Sequence, residues 1–158
     1  MIHMIVESPI GDLLLLGDGA SLVGLYTAEH VRRPDPLGDR SEHGLEQARE
    51  ELAEYFTAGR REFGVPLAAR GTEFQRQVWS ELAAIGYGQT ASYREIANRI
   101  GNPKAVRAVG MANGRNPISI IVPCHRVVGA TGDLTGYAGG LAAKRWLLDH
   151  ESHVVAAR

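Results

Sequence analysis

The sequence has a single cysteine and no long apolar run, and each of these absences excludes a class of structure. Cys124 is the only cysteine in 158 residues, which excludes an internal disulfide and a zinc site built on several cysteines. The six histidines are not paired at metal-ligand spacing, so we predict no metal and no cofactor. No stretch is long enough for a membrane helix, and the first residues do not resemble a secretory leader. We therefore expect a globular, cytoplasmic protein with no membrane partner.

Charge is distributed unevenly along the chain although the net charge is only −1. Residues 1–70 carry seven Lys/Arg against twelve Asp/Glu, whereas residues 71–158 carry ten against six. Within residues 92–126 a single acidic residue, Glu95, faces six basic ones: Arg94, Arg99, Lys104, Arg107, Arg115 and Arg126. This excess indicates either a phosphate-bearing partner or a solvated surface that balances the acidic half.

Residues 1–70 have the pattern of a small α+β unit. Apolar runs near residues 1–7, 13–16 and 22–26 are separated by Gly-, Pro- and Asp-containing turns, which predicts a strand meander. Apolar residues at helical spacing then predict a helix over residues 45–58, ended by Gly59. Because no chemical signature stands out, we interpret this unit as a structural support.

Residues 71–158 begin with a predicted series of helices. Thr72 with Gln75, and Ser92 with Glu95, match the capping box that starts a helix. Asn102 and Pro103 are suited to start a further helix directly after Gly101. Two short helices joined by a glycine turn are typical of a helix-turn-helix, whose second helix enters a DNA groove, although ordinary helical hairpins look the same.

Further along, two more elements are predicted. Residues 118–122 are rich in β-branched side chains and predict a buried strand that ends at Pro123. A last helix is predicted over residues 141–150, with Lys144 facing solvent and Glu151 at its end.

Cys124 and His125 are the residues with the clearest chemical potential. A lone cysteine is usually a small buried hydrophobe. Here it follows a predicted strand, adjoins a histidine and comes after the basic segment, and nearby positive charge favours the nucleophilic thiolate. A bridging water could carry a proton between thiol and imidazole, and Glu151 is a candidate third member.

The run from Asn116 to Gly129, which contains Pro123-Cys124-His125-Arg126, resembles the active-site signature of the O6-alkylguanine-DNA alkyltransferases, or methylated-DNA–protein-cysteine methyltransferases. The resemblance extends over residues 71–151. It implies an α+β fold with two units: a ribonuclease-H-like α/β unit (1–70), then a helical, winged-helix-like DNA-binding unit (71–158) that holds the alkyl acceptor. It also implies an enzyme that transfers the alkyl group of O6-alkylguanine, with alkylated thymine as an open second substrate, once and irreversibly to its own cysteine.

The resemblance also implies roles for individual residues. Cys124 accepts the alkyl group, and His125 with Glu151 activates it through a water. Tyr93 gives a hydroxyl to the extruded base and Arg107 fills the space that the base leaves. The remaining base-side positions are Asn116, which braces the turn, the Val127 carbonyl, the Ala138 N–H, Tyr137 and Lys144. The remaining DNA contacts are assigned to Lys104, Arg94, Arg115 and Arg126.

Two other classes of protein stay open at this point. A non-catalytic helix-turn-helix protein or damage sensor of the same fold would bind DNA without chemistry, but such relatives replace the acceptor cysteine. A cysteine hydrolase using Cys124, His125 and Glu151 would turn over and would leave the basic helix unexplained. The expected partner is double-stranded DNA containing O6-alkylguanine, and we expect a monomer.

Overall fold

The computed structural model describes residues 1–35, 38–134 and 136–157. Its N-terminal part is a sheet of four strands: β1 (Ile2–Val6), β2 (Leu13–Gly17), β3 (Leu22–Tyr26) and β4 (Asp39–Arg40). The strand order is β3-β2-β1-β4, with the first three antiparallel and β4 parallel to β1. Every residue of β2 is buried, and each leucine side chain in such a position contributes about 1.5–3 kcal/mol. The predicted meander is confirmed.

Helix α1 (Glu46–Ala58) lies in the position expected from its apolar spacing. Its buried face includes Ala48, Leu52 and Tyr55. Gly59 ends the helix in the left-handed conformation (φ 71°), which a residue without Cβ adopts at low cost.

The helical part of the chain contains α2 (Glu73–Ala83), β5 (Ala91–Ser92), α3 (Tyr93–Arg99) and α4 (Val106–Gly114). Both predicted capping boxes are present, with Thr72 bonding Gln75 and Ser92 bonding Glu95 in both directions. The indole of Trp79 donates to the Ala112 carbonyl at 2.9 Å and ties α2 to the end of α4. Helix α3 also packs against both α2 and α4, so the helix-turn-helix arrangement of α3 and α4 is a packed unit.

Helix α4 begins later than the sequence indicates. The Asn102 N–H bonds back to the Ala97 carbonyl, closing the end of α3 after Gly101 (φ 76°). The Asn102 carbonyl then accepts from the Ala105 N–H, forming a turn. Since these backbone groups complete the connection, the helix starts at Val106 and the expected start at Pro103 is wrong.

The buried strand predicted over residues 118–122 is also wrong. Ile118 pairs only as an isolated bridge with Leu25, and the chain then folds back, with the Val122 N–H bonding the Ile118 carbonyl. Ile120 has a positive φ of 71°, which is uncommon for a β-branched residue. The local pattern predicted burial correctly, but the backbone groups are bonded within a turn.

The last elements are β6 (Val127–Val128), which pairs in parallel with β5, and α5 (Leu141–Ala156). Helix α5 is longer than predicted, so Glu151 lies within it and not at its end. In the described part of the chain, no helix combines the length and apolarity required to cross a membrane.

Candidate active site around Cys124

Cys124 begins a short 3-10 helix, Cys124–Arg126, directly after Pro123. Its side chain is buried, and the thiol donates to the hydroxyl oxygen of Tyr137 at 3.5 Å. Burial raises the pKa of the Cys124 thiol, while hydrogen bonding with Tyr137 and Asn116 and the charge of Lys144 offset part of that rise. The resting cysteine is therefore a protonated thiol that needs a base when it reacts.

His125 follows Cys124 in the sequence, and its side chain is completely buried. Its Nε2 lies 2.8 Å from the Glu151 Oε2, which places the imidazole proton on Nε2 because the carboxylate can only accept. Burial lowers the pKa of His125, and the neighbouring Glu151 carboxylate opposes that effect. The Nδ1 atom is buried and bonds to none of the residues that the structure describes. His125 is thus a neutral imidazole with an open acceptor nitrogen.

Glu151 lies on α5 and accepts hydrogen bonds from several side chains around His125. Its Oε2 accepts from the Tyr55 hydroxyl at 2.6 Å, from His125 at 2.8 Å and from the Arg126 Nη2 at 3.0 Å. Its Oε1 accepts from the Arg126 Nε at 2.8 Å. Burial alone would raise the pKa of Glu151, but the hydrogen bond from His125 and the hydrogen bonds and charge of Arg126 hold it well below its ordinary value. The carboxylate is therefore ionised.

Arg126 lies in the interior, and this position corrects its assignment to the DNA-contacting set. Besides its two bonds to Glu151, its Nη1 donates to the Ile85 carbonyl at 2.7 Å. Its guanidinium also lies 5.5 Å from the centre of the Tyr87 ring. A guanidinium whose donors are satisfied inside the protein cannot reach a phosphate. Its role is to neutralise and hold Glu151.

Lys144 is buried as well, which contradicts its expected solvent-facing position. Its Nζ donates to the Val127 carbonyl at 2.7 Å and lies 5.8 Å from the centre of the Tyr137 ring. Burial lowers the pKa of Lys144, and the nearby Cys124 side chain opposes that effect. Lys144 thus places a positive charge near the Cys124 thiol and holds the Val127 carbonyl in place.

Two asparagines hold the backbone around the cysteine. Asn116 donates to the Val122 carbonyl at 2.8 Å and to the Ile118 carbonyl at 3.3 Å, and it accepts from the Ile118 N–H at 3.0 Å. Asn113 donates to the Cys124 carbonyl at 3.4 Å. Sequence reasoning did not find the contact of Asn113.

The remaining predicted residues lie around this centre. Pairing of β5 with β6 brings Tyr93 next to the chain that follows Cys124, and Tyr93 is half-buried. The Ala138 carbonyl accepts from the Val31 N–H at 2.8 Å, which ties the loop before α5 to the N-terminal part. Of these residues, Tyr137 contacts the Cys124 thiol directly, and Ala138 follows it in the chain.

The outer face of the helix-turn-helix carries exposed basic side chains: Arg94, Lys104, Arg107 and Arg115. Met111 lies one turn from both Arg107 and Arg115 on α4 and is 61% exposed. This exposed apolar residue among cations was not singled out at the sequence level. No group of three or more His, Cys, Asp or Glu suited to a metal occurs in the ranges described.

Comparison with known proteins identifies both halves of the chain. Residues 1–69 match the family model described as 6-O-methylguanine DNA methyltransferase, ribonuclease-like domain. Residues 73–153 match the model described as 6-O-methylguanine DNA methyltransferase, DNA binding domain.

Individual relatives agree with these matches. A methylated-DNA–protein-cysteine methyltransferase of Mycobacterium leprae is 49% identical over 157 residues, covering 98% of this chain and 95% of that protein. One from Methanosarcina acetivorans is 51% identical over 154 residues, covering 96% and 98%. The crystal structure of Mycobacterium tuberculosis OGT in complex with DNA is 49% identical, with a TM-score of 0.87 and coverage of 97% and 94%.

Proposed function

The chain belongs to the 6-O-methylguanine DNA methyltransferase family, and from that membership and its site we propose that it repairs duplex DNA by moving the alkyl group of O6-alkylguanine onto Cys124. The observation that carries the proposal is the buried Cys124, His125 and Glu151 arrangement. It contains a thiol, an imidazole with an open acceptor nitrogen, and an ionised carboxylate that fixes that imidazole.

The chemistry is an in-line displacement at carbon. The Cys124 sulfur attacks the alkyl carbon, a carbon–sulfur bond forms, and the bond from that carbon to guanine O6 breaks. The thiol proton passes to His125 Nδ1 through a bridging water, because the thiol bonds Tyr137 and the Nδ1 atom bonds none of the described residues, so the two groups are not in direct contact. Tyr93 donates a proton to the leaving base and is reprotonated from His125, so the net product is a thioether and neutral guanine.

Keeping the cysteine protonated at rest suits a residue that reacts once. A standing thiolate is prone to oxidation, whereas a buried thiol with a raised pKa is protected until a substrate arrives. His125 removes the proton only as the carbon–sulfur bond forms. Lys144 lowers the cost of developing negative charge on sulfur through its position near the thiol.

The alkylated oxygen lies inside the base stack, so the nucleotide must leave the duplex before it reaches Cys124. Arg107, exposed near the start of α4, fills the space left behind and offsets part of the unstacking cost of a few kcal/mol. Arg94, Lys104 and Arg115 contact phosphates. Binding should weaken with salt at a log–log slope of about −0.9 per neutralised phosphate.

Recognition of the base is assigned to the groups around the thiol. Asn116 braces the turn, Lys144 holds the Val127 carbonyl in place, and that carbonyl accepts with its second lone pair from the guanine edge. The Ala138 N–H and the Tyr137 hydroxyl complete the pocket. Residues 1–70 and 71–158 form the two units, and the protein acts as a cytoplasmic monomer.

The test is the mass of the reacted protein. After incubation with a duplex containing O6-methylguanine, we expect one methyl mass on the peptide that contains Cys124. Cys124→Ser is the control and should bind the duplex without transfer. Binding by the unaltered protein with no added mass would indicate a non-catalytic damage sensor and refute the proposal.

A further inference from the structure

We propose that Tyr55, which lies on α1 in the N-terminal part, is a positioning residue that fixes the Glu151 carboxylate and thereby tunes His125 as a proton acceptor. The proposal rests on the proposed function for its kinetic readout. It gives the N-terminal part a share in the chemistry, whereas its sequence indicates only structural support.

The first argument is the contact itself. Tyr55 is completely buried, and its hydroxyl donates to Glu151 Oε2 at 2.6 Å across 96 residues of sequence. Burial and the Glu151 charge strongly raise the pKa of Tyr55, so the hydroxyl keeps its proton and acts as a donor. A short bond between a buried hydroxyl and a carboxylate is among the stronger hydrogen bonds in proteins.

The second argument is that the Tyr55 ring cannot easily move. Its neighbours are aromatic rings with centroids between 5.2 and 6.2 Å away, from Phe56, Phe63, Tyr87 and His150. A donor held in such a cluster fixes the oxygen that it contacts, because neither ring nor hydroxyl can follow a displaced carboxylate.

The third argument concerns competition for one oxygen. Glu151 Oε2 accepts from Tyr55, His125 and Arg126 together. Since a carboxylate oxygen has about two favourable lone-pair sites, each donor weakens the others. Removing the Tyr55 hydroxyl leaves more of that oxygen's charge to His125, which favours the imidazolium. The pKa of His125 should therefore rise.

Several titratable groups surround His125 and Glu151. The titratable groups near His125 and Glu151 are Tyr55 from α1, Tyr87 from the segment before β5, Arg126 from the 3-10 helix, and Lys144 from α5. Tyr87 provides a matched comparison, because its ring lies 6.2 Å from that of Tyr55 and its buried hydroxyl bonds to none of the described residues. Tyr87→Phe thus removes a hydroxyl from the same cluster without removing a bond to Glu151.

The experiment compares Tyr55→Phe with Tyr87→Phe in the full chain. The readouts are the His125 imidazole titration by nitrogen NMR and the pH profile of single-turnover transfer from an O6-methylguanine duplex. For Tyr55→Phe we expect the His125 pKa and the acid limb of the profile to move up by roughly 0.5–1 unit, as the loss of one such hydrogen bond predicts. Tyr87→Phe should leave both unchanged.

A second substitution guards against misfolding. Site-specific 3-fluorotyrosine at position 55 keeps the hydroxyl but makes it a stronger donor, so the His125 pKa should move down. Unchanged titrations in both Tyr55 variants, or equal shifts in Tyr55→Phe and Tyr87→Phe, would overturn the positioning role. Absence of transfer by the unaltered protein would refute the proposed function instead, and the NMR titration would still decide the role of Tyr55.

Discussion

Asn116→Ala is the substitution whose consequences the structure defines most fully. The side chain makes three hydrogen bonds to backbone groups of the turn before Cys124, with Val122 and Ile118 as partners. It is 2% exposed, so water cannot replace those bonds in the folded state. Alanine would leave the buried Ile118 N–H without this partner, whereas the Val122 carbonyl keeps its bond from the Cys124 N–H at 2.8 Å.

The magnitude follows from the number and quality of these bonds. Each contributes about 0.5–1.5 kcal/mol, and each buried group left unpaired costs about 1–3 kcal/mol. With one of the three bonds long, we expect the free energy of unfolding to fall by about 3 kcal/mol. For a chain of this size that corresponds to a Tm lower by roughly 6–12 °C.

The reaction should suffer more than the stability. Ile120 sits at φ 71°, a strained conformation that persists only where the surroundings enforce it. Without the brace the turn can relax and displace Cys124, and a displacement of about 1 Å can slow a reaction about 100-fold. We expect a decrease of that order in the single-turnover rate, with duplex affinity nearly unchanged.

Chemical denaturation and single-turnover transfer are the assays. Asn113→Ala is the matched control, since it removes one buried asparagine that makes a single 3.4 Å bond to the Cys124 carbonyl. That control should lose less than about 1 kcal/mol from its hydrogen bond. An Asn116→Ala protein as stable as Asn113→Ala would refute the reasoning.

Three further predictions concern charged residues. Arg107→Ala should slow repair in duplex DNA but leave reaction with the free O6-alkylguanine base near normal; equal losses on both substrates would contradict the assignment. Arg126→Ala should destabilise the fold by about 3–5 kcal/mol, because Glu151 loses its buried partner, and denaturation measures this. Its salt slope for DNA binding should not change, and a shallower slope would restore Arg126 to the DNA face. The folded-state pKa of Glu151 lies below its ordinary 4.5, so its ion pair with Arg126 and its hydrogen bonds stabilise the protein above about pH 4.5, and this stabilisation is lost as pH falls. Glu151→Gln should therefore be less stable at neutral pH and show a weaker loss in acid, and identical pH–stability curves would contradict this.

Local signals predicted much of the fold. Capping boxes at Thr72 and Ser92 involve residues three apart, so they are legible in sequence and are present in the structure. The strand predicted over residues 118–122 failed because the side chain of Asn116 bonds backbone groups that a sheet partner would otherwise bond. A hydrophobic pattern records burial but not which partner satisfies the backbone.

In the site too, neighbouring residues could be predicted from the sequence, whereas contacts between residues distant in the sequence could not. Cys124 and His125 are adjacent and were found together. Glu151 was named as a candidate third member, and the resemblance gave it the same role. Charge counting treated Arg126 like the exposed arginines, because its burial depends on Glu151, 25 residues away. The contact from Tyr55 spans 96 residues and has no local signature.

The central claim is that Cys124 is consumed by the alkyl group it accepts. A thioether to a simple alkyl group resists attack by water, so the cysteine is not regenerated. Limiting protein mixed with excess duplex containing O6-methylguanine should remove one equivalent of methyl group per chain and then stop. Continued removal well beyond one equivalent would contradict the account and favour a hydrolase that uses the same cysteine.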